Sequence, residues 1–344
     1  MLTIRSQNGS ILLEVETDNL LYADLQNKDL HFADLASTVL FKANLSGANL
    51  NNADMRGANL ANTIMEGALL NKATLKAAKL ERANLKGCNA VQANMSNMHA
   101  PQSDWSQANL QKSDLTQCDL ASAIFHGTNF EGCEFYERKI PHADFTGARL
   151  VKAKMLKVQA QSACFREADL EKAELETGQF GWADFTQASL RGALIGKAKM
   201  NSANLTNAFL NNANLNQAIL ENANLQGANL EGATIFQANL KQANLRGANF
   251  TRANLNGASM NLALLGGANL EKADLQGANM RGARYNEDTI FPAGFDPEQR
   301  GLIFNPKQNE AEESAAFLQA QAQVSSISGP QPPSTIQQQP GNTN

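Results

Sequence analysis

Long apolar runs are missing from this chain of 344 residues. No stretch reaches the roughly 18 apolar residues of a membrane-spanning helix, and no signal-peptide core follows Met1. Neither a membrane span nor Sec export is therefore indicated, and a cytoplasmic protein is expected. Charge is also thin: 29 Lys and Arg stand against 33 Asp and Glu, for a net charge of −4. The four His (His31, His99, His126 and His142) are scattered, and no Gly-rich loop has the spacing of a phosphate-binding turn. Only four Cys are present, at 88, 118, 133 and 164. They read as reduced structural residues, since pairing them would need a different chain geometry from the one derived below.

What the chain does have is a period. From Leu20 to Ile290 every fifth residue is a large apolar side chain, broken only by Ala90, Ala100 and Ala160. Two residues earlier sits a second small residue, usually Ala, so that the unit reads A-(N/D)-L-x-x, as in Ala203-Asn204-Leu205. Such self-similarity outranks local propensity as a fold signal. A period of five fits neither the 3.6 of a helix nor the 2 of a half-buried strand. Of the 24 Gly, most fall two residues after the large apolar residue, Gly47, Gly57 and Gly227 among them. Gly and Asn accept the positive φ of a type II turn. Each unit is thus a very short extended piece followed by a corner, and a chain that turns regularly must coil and stack.

If four units make one coil, residues twenty apart stack at the spacing of neighbouring strands, about 4.8 Å. Phe125, Phe145, Phe165 and Phe185 then form one inner ladder, with Trp105 one coil before them. Outside, Glu134, Lys154 and Glu174 alternate in charge, Arg149 sits beside Asp169, Asp119 beside Lys139, and Asn204, Asn224 and Asn244 form an amide ladder. The three Ala interruptions fit as well. Cys88, Met98 and Val158 stand two residues before Ala90, Ala100 and Ala160, exchanging volume between two inward positions.

The A-(N/D)-L-x-x units resemble those of the pentapeptide-repeat proteins, cyanobacterial members included. That resemblance implies an all-β fold: a right-handed quadrilateral parallel β-helix of about twenty residues per coil, capped by a short N-terminal hairpin. Residues 1–17 read as the cap, two short strands around Asn8-Gly9. Residues 18–290 are the repeats. Residues 291–324 hold a closing segment, similar at Thr289–Pro297 to many cyanobacterial members, and a short amphipathic helix over 309–324. Residues 325–344 are a Gln/Pro/Ser tail expected to be disordered.

No catalytic, metal or cofactor site emerges, and a non-enzyme is expected. The His fall in different columns of the coil, so they do not converge on a metal or a nucleophile. Asp104, Asp144 and Asp184 share a column, but two coils separate successive members, and Asp or Asn in that slot is read as bonding its own turn. What remains is surface. Around Tyr136 and Leu156, outward residues twenty apart, the consensus lapses: Arg138 replaces the inward Ala, Pro141 follows Ile140, and Lys139, Arg149, Lys152, Lys154 and Lys157 lie near in sequence. Tyr136, Lys139, Leu156 and Lys157 form the candidate docking patch for a protein partner. The alternative is a tolerated irregularity, a bulge that releases Arg138 to solvent.

The expected function is a non-enzymatic interaction scaffold or regulatory binding protein, with a homodimer left open and no nucleic acid expected as partner. Regulation of metal uptake or of cell differentiation rests on the cyanobacterial resemblance alone. The runner-up is a mimic of duplex DNA that inhibits gyrase, as some family members do. A duplex carries one charge per roughly 1.7 Å, whereas the outward slot between Asp24 and Arg284 holds 18 neutral Asn against 11 Asp. We therefore expect the purified protein to leave gyrase activity unchanged at micromolar concentration in a supercoiling assay; a dose-dependent loss would overturn the charge argument.

Overall fold

Five backbone N–H groups recur in each unit, and their acceptors define the structure, a computed structural model that describes residues 2–306 and, beyond them, only Phe317 and Gln319. The N–H of the large apolar residue reaches the carbonyl nineteen residues ahead, as Leu25 to Asn44 at 2.8 Å. That of the second corner residue does the same, as Asn27 to Ser46 at 2.9 Å. The outward residue donates back to the carbonyl twenty-one residues behind, as Asn44 to Ala23 at 2.9 Å. The inward small residue closes its own β-turn, as Ala48 to Leu45 at 3.0 Å. The first corner residue donates to the Asn or Asp side chain two positions earlier, as Ser46 N–H to Asn44 Oδ1 at 3.1 Å. Asn and Asp fill the outward slot because their carbonyl or carboxylate oxygen completes this set.

Parallel bridges join residues twenty apart without a slip from Asp24↔Asn44 to Leu264↔Arg284. Four of them per twenty residues give each coil four sides. We label the sides by their outward residues: side A from Asp24, side B from Asp29, side C from Asp34 and side D from Val39, each continuing every twentieth residue.

One expectation about the corners needs correction. Positive φ is not reserved for Gly and Asn: Lys42, Gln92, Trp182 and Leu262 adopt φ of 58°, 58°, 57° and 60° in the same slot. Left-handed backbone costs a non-Gly residue on the order of 1 kcal/mol. The hydrogen bond to the next coil holds the corner whichever side chain occupies it, so side chain identity there is free to vary.

Both inward slots are buried along most of the coil stack, including Cys88 with Ala90, Met98 with Ala100 and Val158 with Ala160; Arg138 and, near the C-terminal end, Ala278 and Tyr285 are half-buried and Ile290 is exposed. The large slot forms the aromatic ladder: Phe125, Phe145, Phe165 and Phe185 stack with centroids 4.8, 5.0 and 4.8 Å apart. Phe130 meets Phe125 edge-on at 5.1 Å. Trp105 is buried one coil below, its indole N–H donating to Ser103 Oγ at 2.7 Å. The outer amide ladder holds in part. Asn244 donates to Asn224 at 3.0 Å, but Asn204 and Asn224 donate to the hydroxyls of Thr186 and Thr206.

At the N-terminus β1 (Leu2–Arg5) pairs antiparallel with β2 (Ile11–Val15), and Ser6 bridges antiparallel to Ala33 on the first coil. Ile4 is buried against that coil. At the other end the twenty-residue register breaks: Asn269 bridges Ile290, while β3 (Arg284–Tyr285) pairs in parallel with β4 (Ile303–Phe304). The helix expected over 309–324 and the 325–344 tail lie outside the described residues, apart from Phe317 and Gln319, whose backbone is helical.

Phe145 lies between two parallel-stacked neighbours, so Phe145→Ala should lower stability by about 3–5 kcal/mol. Phe145→Leu should be mild, because Leu fills this slot in most coils. Denaturant unfolding of the two variants checks the order, and equal losses would mean that the ladder carries little.

Candidate functional site

The corner between sides C and D carries the candidate patch. Tyr136 and Leu156 occupy its first position on successive coils; Tyr136 is 43% exposed and Leu156 is half-buried. Lys157, in the positive-φ position, donates to Glu137 Oε1 at 2.9 Å, and its Nζ lies 5.9 Å from the centre of the Tyr136 ring. The hydrogen bond from Lys157 holds the Glu137 carboxyl below its ordinary value, and the same bond raises the Lys157 ammonium. Lys157 is therefore a neutralised cation that braces the aromatic ring. Lys139 stands three residues beyond Tyr136 in the middle of side D, exposed, with no acid at ion-pair distance among the described residues.

The wider cluster of cations read from the sequence is dispersed. Arg149 lies on side B and pairs with Glu131 at 3.2 Å and Asp169 at 3.8 Å. Lys154 lies on side C, paired with Glu134 at 2.9 Å. Lys152 sits at the corner between B and C. Proximity in sequence misleads here because five residues carry the chain onto another side.

Arg138 does not bulge out. Bridges on either side of it, Glu134↔Lys154 and Lys139↔Gln159, keep the twenty-residue register. The residue occupies the inward small slot and is half-buried, and its Nε is buried without a hydrogen-bond partner among the described residues. Burial accordingly lowers the guanidinium pKa from its usual value.

The shared Asp column on side A is occupied by local pairs that the sequence reading missed. Asp104 holds Lys86 at 3.2 Å, Asp144 holds His126 at 2.7 Å, and Asp184 holds Arg166 at 2.7 Å. Burial opposes ionisation of Asp104 and Asp144, yet hydrogen bonds from Ser106 and Thr146, together with Lys86 and His126, hold both carboxyls below the ordinary value. The available signal was a Lys, His or Arg eighteen residues before each Asp, one coil down and at the adjoining corner. Each of these carboxylates serves its own turn and its own Lys, His or Arg partner, and two coils separate it from the next, which does not set two of them as an acid–base pair. Burial pushes the thiols of Cys88 and Cys118 up to about 12 and that of Cys133 to about 11, so at neutral pH they are not nucleophiles. Among the described residues no three His, Cys, Asp or Glu converge as metal ligands, and no helix is long and apolar enough to cross a membrane.

A stack of parallel coils with a continuous Ala and Leu core and Asn-braced corners is a repeat protein. The model for pentapeptide repeats matches residues 19–52, 38–76, 103–135, 142–176, 163–201, 179–216, 198–235, 228–267 and 263–284, and the chain belongs to that family. Residues 77–102 and 136–141 fall between the matched segments. No curated protein matches the chain. Among solved structures it is similar to HetL of the cyanobacterium Nostoc sp. strain PCC 7120, a protein involved in heterocyst differentiation regulation. That likeness has 29% identity over 62% of this chain and 86% of that one, with a TM-score of 0.32. It is similar also to alr5209 of Nostoc PCC 7120, with 32% identity over 36% of this chain and 84% of that one and a TM-score of 0.24. The plasmid-mediated fluoroquinolone resistance protein QnrB1 is 16% identical over 70% of this chain and 93% of its own, with a TM-score of 0.26.

Arg138 occupies a slot that Ala usually fills, and its buried Nε is unsatisfied. Replacing it by Ala removes that cost, on the order of 1–3 kcal/mol, so Arg138→Ala should raise the thermal midpoint. A lowered midpoint would show that the guanidinium braces the corner instead.

Proposed function

We propose that this protein is a non-enzymatic interaction scaffold that docks a protein partner on the edge formed by Tyr136, Leu156, Lys157 and Lys139. One observation carries the reading. The family model stops at 135 and resumes at 142, yet the coil runs through that interval in unbroken register. The departures there serve no need of the backbone. They place an exposed aromatic ring at the corner and, beside it on side D, a cation unpaired among the described residues; with Leu156 on the next coil this is the composition of a small binding anchor. The coils wind, on this reading, as the right-handed quadrilateral β-helix of the family, which presents flat rigid sides to a partner in the cytoplasm. The regulatory role given for HetL is compatible with such binding.

The test is recovery of partners from the source cells with the tagged protein. Tyr136→Asn combined with Leu156→Asn should alter stability by less than about 0.5 kcal/mol, as outward changes do, and should strongly reduce the recovered partner. If the double variant retains every partner at the wild-type level, the corner is not the docking site.

A further inference from the structure

The charges on two adjacent sides repeat with the same pitch. On side D, Lys79, Lys139 and Lys199 are exposed and stand sixty residues apart, three coils or about 14 Å at the strand spacing. None has an acid at ion-pair distance among the described residues, and the one acid of that column, Asp119, is tied to His99 at 3.1 Å. On side C, Asp54, Asp114 and Glu174 also stand sixty residues apart; Asp54 is already held by Arg56 at the adjoining corner, so Asp114 and Glu174 are the acids with no ion-pair partner among the described residues. The acids run twenty-five residues behind the lysines throughout. A rigid surface with three acids at that pitch is the complement of side D, and this chain carries one.

The geometry points to a second copy of this chain as the occupant of side D: side C of one copy packs in parallel on side D of another, with Asp54, Asp114 and Glu174 meeting Lys79, Lys139 and Lys199. The register is selected on both sides. In it Leu194 meets Ile219, and no like charges meet along the two columns. A shift of one coil in one direction sets Asp119 on Asp114, and in the other it sets Lys199 on Lys154. Antiparallel packing with the same three pairs sets Asp119 on Glu134. Like-charge contacts across an interface cost several kcal/mol, so the parallel register stands alone among these. Because C and D are neighbouring sides, the pair also brings the C–D corners of both copies to the same edge of the seam, placing two Tyr136–Leu156 edges side by side. The contact is heterologous, with one side D and one side C left free on the pair.

Sedimentation of the full chain tests this at protein concentrations up to about 100 μM and at about 0.05 M and about 0.5 M salt. The wild-type protein should show a mass above that of one chain at low salt and high concentration, falling to one chain at high salt. Lys139→Glu and Asp114→Lys, both outward and checked for folding by circular dichroism, should each weaken association more than about tenfold. Mixing the two variants, or combining both changes in one chain, restores opposite charges and should recover association. A wild-type protein that stays a single chain throughout overturns the inference. So does association indifferent to either variant, or a charge swap that recovers nothing.

Discussion

The hydrogen bond from one coil to the next is the interaction on which everything else depends. Three of the five N–H groups in a unit find their acceptors a coil away, as Leu25, Asn27 and Asn44 show, and only two are satisfied locally. A single coil therefore cannot stand alone, and each added coil completes the one before it. The same bonds set the twenty-residue register, which decides which side chains stack inside and which charges meet outside.

That constraint explains where the sequence is strict and where it is free. The inward slots admit little variation because each side chain is enclosed by the coils above and below. Where the large slot shrinks to Ala at 90, 100 and 160, the small slot grows to compensate. The outward slot prefers Asn or Asp because one oxygen must take the N–H two residues on. Where the preference lapses, another oxygen takes the role: with Leu69 in the slot, the N–H of Asn71 is received by Asn51 Oδ1 at 2.9 Å, from one coil below. The corners tolerate Lys, Gln and even Trp182 at positive φ because the inter-coil bond fixes the backbone first.

Function in such a molecule is a property of sides and edges. The acids Asp104, Asp144 and Asp184 on side A are absorbed by local pairs with Lys86, His126 and Arg166. On the proposed reading, recognition comes from columns of side chains at fixed pitch. Those columns are written across residues twenty or sixty apart, so a short stretch of sequence, such as the lysines around 152–157, says little about which surface is charged.

By itself the sequence determined the coil length, both inward slots, the Phe125–Phe185 ladder and the family, because a fixed period leaves only one way to bury the apolar residues. It also placed Tyr136 and Leu156 in one column. It could not decide the state of each charge, since that depends on side-chain reach between coils. The twenty-residue spacing already set Lys154 beside Glu134 and Arg149 beside Asp169; only the tertiary structure showed Lys157 neutralised by Glu137, Arg149 shared with Glu131, and Arg138 half-buried with its Nε unsatisfied. Periodic burial is encoded residue by residue. Pairing on the surface is settled only when rotamers from neighbouring coils and corners compete for the same partner.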